Sequence, residues 1–514
     1  MLLSCIKSSA TYVHLALTSK FLFVSSRKFK LGSEISRGMS DHIMGSQIED
    51  LMGKAINYSL KIGASFAEVK GEETKTLNIE AMNKEIRTVS AVLNIGVGVR
   101  VFYGKSSGFS FSNVLNEKDV FSAVETAMRI AKASTKKTLI NFKLADVRTV
   151  KEKKSTEVNK HPKDVPLEDK KDLCLRGCDT ATAAGKNIVS VNSGFGEYYG
   201  TIYYANSEGT NVSYEPLLTG LRFSCVAKKG AVIADARDGH GGSVGLYAFE
   251  EKDYTPEKLA ENAAGWALEK LNAKSAPAGK FDALVDPRLA GVLAHESFGH
   301  LSEADFVVIG SSPLTGKIGH KLGTDDVTII DEGLPQKGGY NLPFDDEGVP
   351  CMRVEIMKKG VLKKYLQSRI TAHALKMEPT GNARSQDYSF EPIVRMRNTY
   401  FDTGDWKHEE ALKGFKKGVY AIDTAGGQVQ DTGTFLFKAV RGYWVENGEL
   451  KHPLRDVALT GNILELLKNI EVVCNDLEIS SSPFGGCGKM DQRALVGTGG
   501  PHLRIKDVLF GGVM

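Results

Sequence analysis

Apolar residues recur at helical spacing over 47–62, where Ile48, Leu51, Met52, Ala55, Ile56 and Leu60 share one face. Shorter stretches rich in Val and Ile, punctuated by Asn or Gly, predict strands at 66–69, 76–81, 89–102 and 109–111. A second amphipathic helix is expected over 118–133, with Val120, Phe121, Val124, Ala127, Ile130 and Ala131 on one side. Together these segments describe an α+β module. Residues 146–171 are charged, with two prolines and few apolar positions, and read as a linker or exposed loop. A helix over 173–184, strand-like alternation over 188–225 around the turn Asn206-Ser207-Glu208-Gly209, and a helix over 256–271 follow. Beyond about 280, strand signals dominate, broken by turns at Asp346-Glu347-Gly348, Lys358-Lys359-Gly360 and Glu446-Asn447-Gly448. The expected fold class is α+β: an N-terminal α+β domain over 45–275 and a β-rich C-terminal domain over 276–514.

Composition narrows the function classes. Of 514 residues, 42% are apolar and 25% charged, the balance of a globular chain rather than a disordered or fibrous one. The net charge of +4 sits in residues 1–44, where six bases face two acids; the other 470 residues carry 60 of each. A neutral body argues against nucleic acid as the main partner, because phosphate contact needs a concentrated positive face. Seven cysteines, an odd number, do not form an obvious disulfide framework, and a reducing, cytoplasmic setting is expected. No run of 18 apolar residues exists, so no membrane span is expected. Residues 1–44 read as an extension outside the fold, disordered or ahead of a later start at Met39 or Met44, with a targeting segment and a structured segment as alternatives.

Candidate chemistry concentrates in two stretches. In 285–307, VDPRLAGVLAHESFGHLSEADFV, Asp286 suits an N-cap and Pro287 the first helical position. The helix delivers His295, Glu296 and His300. The usual zincin spacing puts two His at i and i+4. Here the second lies at i+5, about 140° away on a regular helix. Both imidazoles reach one metal only if the helix widens into a π-turn or ends near Gly299. Two neutral imidazoles can hold zinc, and the adjacent Glu can take a proton from water. A pair of ordinary helix-end histidines is the alternative. In 483–504, PFGGCGKMDQRALVGTGGPHLR, Cys487 lies between glycines, where it could bring a sulfur to a site or be an inert loop residue.

HESFGH followed by SEADF, with GGCGK-x-x-Q-x-x-x-VGTGGP-x-LRI near the C-terminus, resembles the TldD/PmbA family of metalloproteases, and within it the TldD-like subgroup bearing HExxxH. Residues 95–101, 345–348, 380–384, 395–400, 426–429 and 460–462 resemble family segments in the same order. The likeness spans about 46–513. It implies His295, His300 and Cys487 as ligands of Zn2+ and Glu296 as general base, in a metallopeptidase acting on unfolded or extended peptides. It also implies a dimer, of like subunits or with a paralogue. The alternative is a non-catalytic peptide-binding or scaffold subunit of such a pair. Gln430, in place of an expected Asp, and Ser302 depart from the family pattern.

Glu303 is a candidate acceptor for a ligand N–H. Arg384 and Tyr388 are candidate oxyanion donors, and His502 a further residue that could approach the metal. Gly104-Lys105-Ser106 lacks the first glycine of a P-loop, and the 497–500 glycines lack a dinucleotide-site context. Cys174 with Cys178, and His240, read as packing or loop residues.

Overall fold

Where the sequence alternates apolar and polar residues, long antiparallel strands form. The computed structural model describes residues 35–135, 143–335, 338–430 and 433–511. Strands β1 (Phe66–Met82) and β2 (Glu85–Tyr103) pair from Phe66↔Phe102 to Met82↔Glu85. Asn83 and Lys84 join them with φ of 49° and 72°, the left-handed pair of a two-residue hairpin. Residues 70–75, between the strands expected at 66–69 and 76–81, lie inside β1. Glu72 is buried there because Thr74, Asn94 and the Tyr388 amide all donate to it.

β3 (Ser106–Ser112), β4 (Lys151–Lys154), β5 (Ile188–Asn206), β6 (Asn211–Tyr214), β7 (Leu217–Lys229) and β8 (Val232–Gly242) complete an eight-stranded sheet among the described residues. β5 is its pivot, pairing β1 along one edge and β6 and β7 along the other. Within the expected linker 146–171, β4 pairs parallel to β6 and the helix of the next segment begins.

Four helices lie on one face among the described residues: α1 (Ile35–Lys61), through its part from Gly45 on, α2 (Glu117–Ser134), α3 (Leu167–Ala183) and α4 (Pro256–Lys270). Ile48, Leu51 and Met52 of α1 and Val120, Val124 and Met128 of α2 pack on Val69, Val97, Val99 and Val101. Cys174 and Cys178 of α3 and Ala260, Ala263 and Ala264 of α4 pack on Phe195, Leu221 and Phe223. Side chains alternate across a strand, so Glu68, Lys70 and Glu72 point to the other face, toward the C-terminal half. Arg100 bonds both Glu68 and Glu347 there, and Lys70 bonds Asp346 at 2.9 Å.

The C-terminal half is β-rich, as expected. Gly279–Val285 runs antiparallel to Leu503–Phe510 and parallel to Lys417–Ile422 in a ten-stranded mixed sheet. A six-stranded sheet carries Ile329–Glu332, Asn398–Phe401, Gly497–Gly500 and, at one edge, Glu478–Ser481. One apolar core, from Val285 and Leu289 through Phe298 to Phe437 and Ile505, lies around the helix that follows Gly279–Val285.

Of the expected extension 1–44, residues 1–34 lie outside the described residues and the rest belongs to α1. The six described cysteines are unpaired. Among the described residues no helix is long and apolar enough to cross a membrane.

Candidate metal centre

Helix α5 (Pro287–Val292) starts as the sequence suggests: Pro287 is its first residue and the Asp286 carboxylate accepts from the Leu289 amide at 2.9 Å. Its close seat depends on glycine. A Cβ on Gly291 would lie 2.5 Å from the amide nitrogen of Gly499, so helix and strand meet backbone to backbone. The chain then widens into a π-helical turn, Leu293–Gly299, and the His300 amide donates to the His295 carbonyl five residues back. This bond brings positions 295 and 300 onto one side of the turn, resolving the i, i+5 spacing. A Cβ at Gly299 would meet Met396 Sδ at 2.0 Å, so any other residue here requires the buried Met396 side chain to shift.

The His295 and His300 rings stand 5.2 Å apart, edge to face at 82°. Cys487 reaches them from a hairpin of Cys487–Lys489 paired with Gln492–Ala494. Its turn residues Met490 and Asp491 adopt φ of 48° and 59°. Buried Arg395 holds this hairpin by donating to the carbonyls of Cys487 and Gln492. Cys487 Sγ lies 3.2 Å from His300 Nε2, and one donor atom each of His295, His300 and Cys487 lie within 4.8 Å of one another. Glu296 Oε2 is 3.9 Å from His300 Nε2, on a carboxylate that is one-third exposed.

His300 Nδ1 bonds Glu303 Oε2 at 3.0 Å. Read from that bond, Nδ1 carries a proton, and the ring is held with Nε2 toward the sulfur. Glu303, fully buried, is held in turn by Lys489 Nζ at 3.1 Å. Lys489 also contacts Asp305 at 2.6 Å and the Val394 carbonyl at 2.9 Å. Side chains two apart on a strand share a face, so one hairpin presents the sulfur and, two residues on, the cation that fixes Glu303. Sequence reasoning missed Lys489 and Arg395. Spacing from Cys487 could have flagged the lysine, but nothing in the sequence distinguishes a buried lysine from a turn lysine.

The electrostatics suit a cation. Burial would raise the Cys487 thiol, but hydrogen bonds from His295 and His300 outweigh it and pull it down to about 5. Burial would lower His300, but the Glu303 carboxylate and Cys487 outweigh it and push it up to about 10. Both shifts favour a thiolate beside a protonated imidazole in the metal-free trio. His295 Nδ1 is buried without a hydrogen-bond partner. Two imidazoles and a thiolate form a zinc donor set. Tetrahedral zinc spaces such donors about 3.3–3.6 Å apart, against 3.2 Å for His300 and Cys487 and no more than 4.8 Å across the trio.

Other candidates have structural partners. Arg384 donates to the carbonyls of Met396 and Leu495, both at 2.6 Å. Tyr388 packs on Gly96 and its amide bonds Glu72. His240 stacks on Tyr254. His502 bonds Asp476 at 2.6 Å and Tyr420 at 2.7 Å. With His408 and Asp476 it forms a second His/Asp group, but its two ring nitrogens are both taken. The two rings stack at 3.9 Å and 18°, so their in-plane lone pairs do not converge.

Comparison with known proteins places these features in context. Family models for PmbA/TldA metallopeptidases match three successive segments: domain 1 at 67–131, the central domain at 160–271 and the C-terminal domain at 278–512. A metalloprotease of Methanocaldococcus jannaschii is 34% identical over 447 residues, covering 87% of this chain and 96% of its own. A zinc metalloprotease TldD homolog of Saccharolobus solfataricus is 29% identical over 470 residues, covering 90% and 100%. In fold, the chain is similar to the crystal structure of TldE from Thermococcus kodakarensis, with a TM-score of 0.71, 19% identity, and coverage of 90% and 100%.

Proposed function

The chain belongs to the PmbA/TldD family of metallopeptidases, and from that premise we propose that it is a zinc-dependent peptidase of unfolded or extended peptides. In this reading His295, His300 and Cys487 hold the ion and Glu296 is the general base. The observation that carries it is the convergence of the three donor atoms within 4.8 Å on a π-turn and a hairpin 187 residues apart in sequence.

Zinc, when bound, supplies Lewis acidity to the scissile carbonyl and to an attacking water. The protein's own groups do the rest. Glu296, beside His300 Nε2, takes the proton of the attacking water and returns it to the leaving amine. Glu303 holds the His300 Nδ1 proton, which fixes the ring and keeps Nε2 as donor. Lys489 and Arg395 fix Glu303 and the Cys487 backbone, so the thiolate is aimed before any ion arrives. The assembly proposed is a dimer, of two copies or with a TldE-like paralogue.

Metal content and cleavage of an unstructured peptide, measured for wild type and Glu296→Gln, test this. The expected result is about one zinc per chain in both and at least a hundredfold loss of turnover in the variant, as for a positioned general base. Unchanged turnover would remove Glu296 from the chemistry.

A further inference from the structure

A cavity of about 980 Å³ opens between the helix-free face of the N-terminal sheet, at β7 and β8, and the segment 480–486 of the C-terminal half. Its lining includes Gly486, the residue before Cys487, about 3.8 Å away along the backbone. Its outer wall is pinned to the sheet. A Cβ on Gly196 would lie 2.8 Å from Pro483 Cγ and 2.9 Å from Phe484 Cε1, and one on Gly220 would lie 2.7 Å from Pro483 Cδ. The absent side chains let Pro483 and Phe484 settle onto bare sheet.

Beside this contact stands Arg222. Leu221, Phe223 and Cys225 point into the helix-covered core, so Arg222 points the other way. Its cross-strand neighbours are Gly194 and Gly239, and its guanidinium lies over the Phe484 ring, 4.2 Å from the centroid. Four arginines line the cavity. Arg288 is neutralised by Asp238 and Asp423, and Arg87 by Glu85. Arg222 and Arg237 make no ion pair among the described residues; Arg237 donates to the Thr424 carbonyl. Glu80, also on the cavity wall, is the acid whose field reaches Arg222, and burial outweighs it in lowering the guanidinium's pKa.

We propose that this cavity is the substrate's binding channel and selects an acidic side chain, whose carboxylate is held by Arg222 with Arg237 beside it. The proposal rests on the peptidase reading for its claim that the occupant is a peptide. A guanidinium stacked on an aromatic ring is already oriented and weakly hydrated, and its planar fork matches a carboxylate. A loop pinned against bare sheet adds a wall that does not reorganise on binding.

The test uses full-length, zinc-loaded Glu296→Gln and a fluorescent unstructured peptide in which a single Glu replaces Gln at each position in turn. Anisotropy gives each Kd. At one position Glu is expected to tighten binding about tenfold, the worth of a charge-assisted pair. Arg222→Gln is expected to bring that Glu-to-Gln ratio to within twofold of unity, and Arg222→Lys to restore part of it, with thermal melts of both variants confirming folding. A ratio below two at every position, or one that survives in folded Arg222→Gln, overturns the proposal. If wild type cleaves no peptide while the Arg222-dependent preference holds, the peptidase reading falls and the cavity stands as an acidic-peptide binding site.

Discussion

Replacing Lys489 by Met tests how the metal site is built. The lysine is 4% exposed and its ammonium makes four contacts, to Glu303 Oε2, both oxygens of Asp305 and the Val394 carbonyl. Glu303 has no exposure, and its Oε1 has no hydrogen-bond partner. Without the lysine this carboxylate keeps the His300 hydrogen bond and the weaker field of Arg395. Removing one partner of a buried pair costs about 3–5 kcal/mol, so the metal-free variant should lose stability on that scale. The loosened grip on His300 should weaken zinc by about 10–100-fold, the usual effect of disturbing a group that orients a ligand. Competition with a chromophoric chelator at fixed pH reads the affinity, and a urea titration of the metal-free protein reads the stability. Lys489→Arg should recover part of both. A double-mutant cycle with Glu303→Gln should return a coupling above about 1 kcal/mol. Zinc affinity in the Met variant within twofold of wild type would refute the argument that Lys489 acts on the metal through Glu303 and His300.

Gly299→Ala should weaken zinc binding despite alanine's helix preference of about 1 kcal/mol, because its Cβ would sit 2.0 Å from Met396 Sδ; adding Met396→Ala should recover affinity in the same chelator assay. Zinc affinity should rise with pH. Binding needs Cys487 as thiolate and His300 neutral, and in the metal-free protein these titrate at about 5 and about 10. Between those values the pair keeps one proton, on His300, and gives it up to the metal. The apparent Kd should therefore fall about tenfold per pH unit in that window, and calorimetry in buffers of different ionisation enthalpy should show about one proton released from the pair. A thiolate ligand softens the metal's Lewis acidity, so turnover on a good peptide should stay below about 10 s⁻¹, the median for enzymes; steady-state kinetics on a peptide panel checks this.

Much of the architecture was legible because local patterning and tertiary demand agree. The alternation around Val97, Val99 and Val101 and the helical period of 47–62 both mark the face that is buried. For a shared metal, the i, i+5 spacing of His295 and His300 called for a widened turn or a helix end near Gly299, and the structure has the widened turn. What stayed hidden depends on distant partners. Glu72 lies between two expected strands, and its burial within one continuous strand rests on Tyr388, more than three hundred residues on, which supplies an amide to it. Residues 151–154 read as loop because all four are charged and exposed, and a strand at the margin of a sheet needs no apolar face. Arg395 and Arg397 read only as part of a family-like motif. Their structural roles, one holding the Cys487 hairpin and the other paired with Asp331 at no exposure, follow from contacts that no spacing announces.

The account turns on three side chains sharing one ion, and X-ray absorption at the zinc edge reads that directly. Purified protein should show about one zinc per chain, with one sulfur at about 2.3 Å and two imidazole nitrogens at about 2.0–2.1 Å, and Cys487→Ser should lose the sulfur shell while His295→Ala loses a nitrogen. A zinc shell without sulfur in the wild type, or one left unaltered by both substitutions, would contradict it.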